Sequence, residues 1–259
     1  MIIDSHIHYG YIGYKNYGIS LADLLSAMDR LGIVKAVNSS VRGLMLGDFE
    51  GEAREGEWLY GETGGRITNY LTFNPCHPEE CMSVIKKRFD KKIFRGIKIH
   101  PSWHMTPGDS DKYAAIWEFA SENKAVVLSH TWDVSLTNPI QHFSHPLKFE
   151  GYIKKFPDVK FIFGHSGGRY DAVVEAVRIA VENPGVYLDI AGDIYMNGFL
   201  EYAVGKAGSD RVLFGSDYSM MDQRNMLGVV LGAGISAKDR ESILYGNACG
   251  LFGLEGGRS

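Results

Sequence analysis

The chain has 259 residues, of which 45% are hydrophobic and 22% charged, and its formal net charge is -4 at pH 7. These values exclude an intrinsically disordered chain and a small disulfide scaffold, and they provide enough apolar residues for a sizeable core. The slight acidic excess offers no basic surface for a nucleic acid or an anionic membrane, so we expect neither partner.

The cysteines and the start of the chain bear on the compartment. Three cysteines are an odd number in a chain too long to need disulfides, which predicts free thiols in a reducing environment. The first residues contain no basic segment ahead of an apolar run, and no later stretch reaches the roughly 18 apolar residues that span a bilayer. We therefore expect a cytoplasmic protein.

Short β-rich runs alternate with amphipathic stretches along the chain, which predicts repeated βα units. The predicted strands cover residues 1–6, 33–39, 67–73, 94–100, 125–129, 159–163, 186–190 and 211–214. The predicted helices cover residues 20–31, 50–60, 78–89, 111–122, 146–156, 170–182, 198–205, 222–231 and 238–252. Eight such units in 259 residues predict a single α/β domain over residues 1–259, a (β/α)8 TIM barrel. An open doubly wound sheet is the alternative, but no Gly-x-Gly-x-x-Gly follows the first strand.

Metal-capable side chains follow several predicted strands. All nine histidines lie at or before position 165. The residues at or just beyond strand ends are His6, His8, His100, His130, His165 and Asp217. In a barrel, the carboxyl ends of the strands meet at one mouth. His6 and His8 are two residues apart and share a strand face, so both are able to bind one ion. A single histidine at a strand end is more often structural, whereas the joint placement predicts one metal site.

Six motifs carry a resemblance over almost the whole chain, in the same order. They are Ile3-Asp4-Ser5-His6-Ile7-His8, Gly96-Ile97-Lys98-Ile99-His100-Pro101, Leu128-Ser129-His130, Phe163-Gly164-His165-Ser166-Gly167-Gly168, Leu213-Phe214-Gly215-Ser216-Asp217 and Tyr245-Gly246-Asn247-Ala248. The set resembles the metal-dependent hydrolases of the amidohydrolase superfamily, and within it the branch of aminocarboxymuconate-semialdehyde decarboxylase-like proteins. The chain departs from that branch at Ser219, where a proline is common.

The resemblance implies a ligand set and a catalytic pair. His6, His8, His130 and Asp217 would bind one divalent metal, with zinc as the expected ion, and His165 would act as an acid, a base or a polarising group just outside the ligands. Imidazoles and a carboxylate suit zinc, which lowers the pKa of bound water to about 7. Asp217 and His165 are then the expected acceptors of the proton of that water.

Lys98 and Asp4 each have two interpretations. In some superfamily members a lysine on strand four is carbamylated and bridges two metals. The resemblance to the mononuclear branch instead implies an unmodified Lys98 that faces substrate or structure. Asp4 shares the parity of His6 and His8, so it either fixes an imidazole tautomer or forms a hydrogen bond to backbone at the strand end.

The segment from Gly164 to Gly168 also matches the Gly-x-Ser-x-Gly nucleophile elbow of α/β-hydrolases. That fold places its catalytic histidine after the serine, and no histidine follows His165. Ser166 is therefore interpreted as a turn residue.

Substrate contacts are expected from the loops after the strands. Arg169 either clamps a carboxylate through its guanidinium or is a solvated residue in the first turn of a helix. The candidate substrate-binding residues are His100, Lys98, Arg169, Trp132 and His104.

These residues predict a metal-dependent hydrolase that uses metal-activated water on an amide, ester or lactone bond of a small carboxylated or cyclic substrate. Non-oxidative decarboxylation at the same site is the alternative, and a catalytically silent barrel that serves as a binding protein is the third hypothesis. The partner is expected to be a small molecule, and an exposed helical face is compatible with a homodimer.

Overall fold

The computed structural model describes residues 1–10, 20–194 and 196–254. Eight parallel strands form one sheet in which neighbours follow the chain order from the first to the eighth. The strands are β1 (Ile2–Ile7), β2 (Ile33–Asn38), β3 (Ile67–Thr72), β4 (Phe94–Ile99), β5 (Val126–His130), β6 (Lys160–Gly164), β7 (Val186–Asp189) and β8 (Val212–Leu213).

The segment that follows β8 closes the sheet against β1. The Ser5 N–H donates to the Phe214 carbonyl at 2.9 Å, and the Asp217 N–H donates to the His6 carbonyl, also at 2.9 Å. These bonds confirm the predicted (β/α)8 TIM barrel. They also bring Asp217 next to His6 in space, although the two residues lie at opposite ends of the chain.

Helices surround the barrel. They are α1 (Leu21–Leu31), α2 (Val41–Leu46), α3 (Phe49–Glu62), α4 (Pro78–Arg88), α5 (Ala114–Asn123), α6 (Glu150–Lys155), α7 (Tyr170–Glu182), α8 (Phe199–Ala207), α9 (Gln223–Gly232), α10 (Ala237–Glu241) and α11 (Asn247–Phe252). Local chemistry sets their ends, as in α1, where the Ser20 side chain accepts from the Asp23 N–H and Gly32 adopts a left-handed conformation.

Some helices differ from the prediction. The stretch expected to be helical over 146–156 is a 3-10 turn, Pro146–Phe149, followed by α6. The stretch expected over 238–252 is divided by the π-helical turn Ser242–Gly246. Helix α2 lies in a loop that the sequence pattern left without an element, and the Ser40 side chain caps it by accepting from the Arg42 N–H. These differences all lie outside the strands, so they leave the barrel unchanged.

Alternation along the strands, interrupted by register shifts in β1, separates two apolar layers. On β4, Ile97 and Ile99 point outwards to the core between sheet and helices. Gly96 points inwards, where an added Cβ would lie 2.5 Å from the Val126 carbonyl oxygen and 3.0 Å from the ring of Tyr70, so this position requires glycine. Lys98 follows on the same inward face, which places a charged side chain inside the barrel.

The two ends of the barrel interior are filled differently. The inner apolar cluster contains Ile3, Tyr70, Leu128 and Phe252, and Phe252 belongs to α11. Its backbone carbonyl accepts from Arg95, near the start of β4, which places α11 at the amino-terminal end of the strands. The carboxyl-terminal end is open and polar. None of the helices in the described ranges has the length and apolar character needed to cross a membrane.

Candidate metal centre

A cavity of about 520 Å³ opens at the carboxyl ends of the strands. Strand ends and the loops after them supply its walls. The predicted site residues that line it are His8, Lys98, His100, His130, Trp132, His165, Arg169 and Asp217. The barrel topology therefore brings together side chains that are scattered along the sequence.

A buried group on the cavity floor has the spacing of metal ligands. The ligand atoms of His6, His165 and Asp217 all lie within 4.8 Å of one another. His8 joins this group through Asp217, because its Nε2 lies 3.1 Å from Asp217 Oδ1. The corresponding distance from His6 Nε2 is 3.9 Å.

Hydrogen bonds on the far side of the rings fix the tautomers. The Nδ1 atom of His6 lies 2.9 Å from Asp189 Oδ2. The Nδ1 atom of His8 lies 2.8 Å from the Ser39 carbonyl, and that of His165 lies 2.9 Å from the Ala191 carbonyl. Because carbonyl and carboxylate oxygens only accept, each Nδ1 carries the proton and donates it. When these rings are neutral, each Nε2 therefore carries the lone pair that can bind a metal.

The positions of His8 Nε2 and Asp217 Oδ1 fit a cation bound between them. Both atoms are acceptors once the His8 tautomer is set, yet they lie 3.1 Å apart. Asp217 Oδ1 is buried and lacks a well-directed hydrogen bond from any described residue. Two buried acceptors at this distance repel unless a proton or a cation lies between them. Imidazole nitrogens with one carboxylate are also the donor set that zinc prefers, so the residues fit a divalent metal.

Burial and neighbouring charges set the protonation states of this group. Burial and the charge of Lys98 lower the pKa of His6 to about 3, so this ring is neutral at pH 7. Burial alone would raise the pKa of Asp217, but the close approach of His8 Nε2 and the nearby rings of His165 and His6 hold it well below its usual range. The floor therefore combines the neutral ring of His6 with an ionised carboxylate.

Lys98 is buried at 1% exposure and lies beside the group, with its Nζ 2.8 Å from His6 Nε2. Burial lowers the pKa of Lys98 to about 8, although the carboxylates of Asp189 and Asp217 act in the opposite direction. Its ammonium group donates to the His6 lone pair, so it competes directly with a metal for that atom.

His130 and His100 form a separate stack beside the cavity floor. Their ring centroids lie 4.0 Å apart at an interplanar angle of 7°, and Trp103 stacks on the other face of His100. His130 Nε2 lies 3.0 Å from Gln141 Oε1, and the His130 ring centroid lies 4.9 Å from that of His165. Burial holds the pKa values of His100 and His130 well below the usual range. His165 thus belongs to the compact group of potential ligands, while His130 lies at its edge.

The remaining candidates occupy the cavity rim or the protein interior. Arg169 forms an ion pair with Asp193 at 2.6 Å, and its guanidinium lies 5.5 Å from the ring centroid of Trp132. His104 is buried behind His100, with ring centroids 6.4 Å apart, and it is absent from the described cavity lining.

The backbone is strained where two candidate residues leave their strands. His165 has a φ of 64° and Asp217 a φ of 63°, both in the left-handed region. Space for the His165 ring depends on Gly192, because an added Cβ there would lie 2.7 Å from His165 Nδ1. Ser166 is buried and its hydroxyl donates to the Asp189 carbonyl, as expected for a turn residue and not for a nucleophile.

Asp189 is a residue of the candidate site that the sequence did not predict. Its Oδ2 accepts from His6, while its Oδ1 accepts from the backbone N–H groups of His165 and Ala191. The available signal was an acidic residue at the end of an apolar strand, the pattern that marked the other strand ends. Of the two interpretations of Asp4, the structure shows the second, since its carboxylate accepts from the backbone N–H groups of His6 and Ser216.

A closed parallel barrel with clustered imidazoles and a carboxylate at the carboxyl ends of its strands defines the class of barrel enzymes with metal-ligating active sites. Within that class, the chain belongs to the amidohydrolase family, because the family model described as Amidohydrolase matches residues 3–254. This match confirms the resemblance found in the sequence.

One curated relative is the decarboxylase macB of Penicillium terrestre, which is 28% identical over 185 residues. The match covers 54% of this chain and 53% of macB, so the chain matches only about half the length of that relative.

Solved structures share the fold at low identity. An uncharacterized TIM-barrel protein from Bordetella bronchiseptica aligns with a TM-score of 0.78 and 17% identity, covering 97% of this chain and 98% of the other. The 2,6-dihydroxybenzoate decarboxylase from Rhizobium aligns at 0.74 and 16% identity, covering 98% and 99%. An amidohydrolase from Burkholderia multivorans with bound zinc aligns at 0.75 and 14% identity, covering 98% and 100%.

Proposed function

We propose that this protein is a metal-dependent, non-oxidative decarboxylase of a small cyclic or unsaturated carboxylate. Hydrolysis of an amide, ester or lactone at the same site is the second candidate. Sequence reasoning ranked these two reactions in the opposite order. Two relatives whose names describe decarboxylases, macB and the Rhizobium enzyme, support the change.

The observation that carries the proposal is the charge of the cavity floor. The buried rings of His6, His100 and His130 are neutral because burial lowers their pKa values. Beside them lie the ionised carboxylates of Asp189 and Asp217 and the ammonium of Lys98. A divalent ion among them would leave the floor with a net positive charge, which attracts and orients an anionic substrate.

The residues proposed to hold the metal are His6, His8, His130 and Asp217, and His165 is proposed to lie beside them as an acid or a base. When bound, the ion supplies Lewis acidity, withdrawing electrons from an oxygen of the substrate. We assign substrate contacts to Lys98, His100, Trp132 and Arg169, all of which line the cavity. His104 was predicted to join them, but its position behind His100 leaves it as support for that ring.

His165 and Asp217 are the proposed catalytic pair. Decarboxylation breaks the bond between the carboxyl carbon and its neighbour, releases carbon dioxide and requires a proton at the carbon that remains. His165 Nε2 faces the floor. We propose that this nitrogen takes up a proton from solvent and delivers it to that carbon. The Nδ1 proton is not available for this step, because it is hydrogen-bonded to the Ala191 carbonyl. In the hydrolytic alternative, the same nitrogen and the Asp217 carboxylate would accept a proton from water.

Two assays test the proposal. The metal content of the purified protein is measured for the wild type and for His6→Ala and Asp217→Ala, with His142→Ala as a control because His142 is exposed. We expect about one divalent ion per chain, lost in the first two variants and retained in the control. Carbon dioxide release is then measured with a panel of cyclic and unsaturated carboxylates, beside a panel of lactones, esters and amides.

Release of carbon dioxide that depends on His6 and Asp217 would support the decarboxylase. Turnover confined to the second panel would replace it with the hydrolase. A protein that binds metal and turns over neither panel would contradict both reactions and favour the silent binding protein.

A further inference from the structure

Asp133, which follows Trp132 in the loop after β5, is a cavity residue that the proposed mechanism does not use. It lines the same cavity as Lys98 and Asp217, and its exposed fraction is 4%. No described residue donates a hydrogen bond to its Oδ1. A buried carboxylate oxygen without a donor is costly, and native proteins retain such atoms where a ligand or another partner satisfies them.

The backbone before Asp133 is held rigidly. The Thr131 N–H donates to the Gly164 carbonyl at 3.2 Å, and the Thr131 hydroxyl accepts from the Gly167 N–H at 3.0 Å. The Trp132 N–H donates to the Ser144 carbonyl at 3.3 Å. Two neighbouring segments, residues 164–167 and Ser144, therefore fix the chain just before Asp133, and the Asp133 carboxylate is presented to the cavity from a preorganised backbone.

The nearest cation is engaged elsewhere. Arg169 forms its ion pair with Asp193 at 2.6 Å and lies over the ring of Trp132. Burial raises the pKa of Asp133 more than its own backbone N–H and the charge of Arg169 lower it, and Asp171 and Asp193 raise it further. Arg169 is thus a remote influence on Asp133 and not its hydrogen-bond partner.

We propose that Asp133 accepts a hydrogen bond from a hydroxyl or amino group of the substrate and thereby sets both its class and its orientation. The inference rests on the proposed function, in which the substrate carboxylate lies at the cationic floor beside Lys98. A second carboxylate cannot lie against Asp133 without repulsion, whereas a hydroxyl or amino donor satisfies it. The substrate class is therefore a small cyclic carboxylate with a polar hydrogen donor at a distance from the carboxyl group.

The test measures binding of four probes to the zinc-loaded protein by titration calorimetry: benzoate and its 2-, 3- and 4-hydroxy derivatives. We expect at least one hydroxy derivative to bind about 10- to 100-fold more tightly than benzoate, the range for a hydrogen bond to a buried charged group. In Asp133→Leu this advantage falls below about threefold, while benzoate itself binds as before. Asp133→Asn retains part of the advantage, because its amide oxygen still accepts.

The control is Asp210→Asn, which removes an aspartate of 75% side-chain exposure just before β8, at the other end of the barrel. It is expected to leave all four affinities unchanged. If Asp133→Leu does not fold, Asp133→Asn decides, and an undiminished advantage in that variant overturns the inference. Failure of all four probes to bind, equal affinity for all four, or an advantage that persists in Asp133→Leu also overturns it.

Failure of the inference is distinguishable from failure of the proposed function. If carbon dioxide release depends neither on the hydroxyl group nor on Asp133, the inference is wrong and the decarboxylase proposal stands. If binding depends on the hydroxyl group and on Asp133 but no carboxylate releases carbon dioxide, the decarboxylase proposal is wrong. Asp133 is then a determinant of ligand specificity only.

Discussion

The two ends of the barrel interior both contain buried side chains, but the chemistry of those side chains is opposite. At the amino-terminal end, Phe252 is 4% exposed and packs edge-on against Tyr70 with ring centroids 6.0 Å apart. At the carboxyl-terminal end, Lys98 is 1% exposed and Asp189 is fully buried. Burial favours an aromatic ring and disfavours an isolated charge, so the same degree of burial has opposite effects on stability at the two ends.

The difference separates the part of the barrel that stabilises the fold from the part that is available for chemistry. The amino-terminal end is filled by apolar side chains. The carboxyl-terminal end holds paired charges and places His165 and Asp217 in left-handed backbone conformations, with φ of 64° and 63°. Strain and buried charge persist only where the surrounding structure enforces them, and they concentrate at functional sites.

The largest expected effect on stability comes from Phe252→Ala at the amino-terminal end. Removing a buried ring leaves a cavity and is expected to lower the free energy of unfolding by about 3–5 kcal/mol. Thermal or urea unfolding measures this loss, and Phe252→Leu, which fills part of the cavity, should lose less. Turnover per folded molecule should be unchanged within about twofold, because the site lies at the other end. A selective loss of turnover with normal stability would contradict the separation of the two ends.

Asp217→Asn should have the converse effect. Asparagine tolerates the left-handed backbone at this position, so the fold should be retained in circular dichroism spectra. Loss of the carboxylate ligand should lower metal affinity and turnover by more than about 100-fold, beyond the range seen for partners outside the ligand shell. Metal analysis and steady-state kinetics measure these losses. A variant that retains both metal and turnover would exclude Asp217 from the ligand set.

Asp189→Asn tests the carboxylate behind the ligands. The two backbone N–H groups at Oδ1 retain the amide oxygen there, so the amide NH₂ group must face His6 Nδ1. That nitrogen then has to accept, and its proton moves to Nε2, which removes the lone pair offered to the metal. We expect metal affinity to fall by about 10- to 100-fold in a competition titration. Asp193→Asn, on the cavity rim, is the control and should leave metal affinity unchanged.

The strands were predictable because alternation along the chain reports directly on which side of a sheet is buried. The first strand was expected over 1–6 and is Ile2–Ile7, and the fourth was expected over 94–100 and is Phe94–Ile99. Once the barrel is known, convergence of the strand ends on one cavity follows from topology. The loops were harder, since helix α2 depends on a local cap at Ser40 that the apolar pattern does not reveal.

Pairing across the barrel could not be predicted from the sequence. Asp189 holds His6 across 183 residues, and nothing local distinguishes it from Asp4, which instead binds backbone N–H groups. The sequence also does not show which of His130 and His165 lies closer to the other ligand atoms, because this depends on where each strand ends relative to its neighbours. Such contacts are decided by the shear and closure of the barrel, which no single strand encodes.

Glu52 tests whether buried charge extends beyond the cavity. Glu52 on α3 is 1% exposed and accepts from the N–H and hydroxyl of Thr72, the last residue of β3. Burial raises its pKa to about 8. Glu52 therefore keeps its proton in the folded state up to about pH 8, whereas the unfolded chain releases it above about pH 4.5. Its stabilising contribution is present below about pH 4.5 and is lost as the pH rises through 8.

Glu52→Gln keeps a neutral side chain at every pH and removes this dependence. The melting temperature of the wild type minus that of Glu52→Gln should therefore be higher at pH 5 than at pH 8.5. The expected change is about 2–4 °C for each kcal/mol of stability that the wild type loses between the two pH values. Differential scanning calorimetry at the two pH values measures it, with the exposed Glu79→Gln as the control for loss of a surface carboxylate. A difference that is the same at both pH values would mean that Glu52 is ionised in the fold. Buried charge would then extend into the helical layer behind β3 and would not be confined to the cavity.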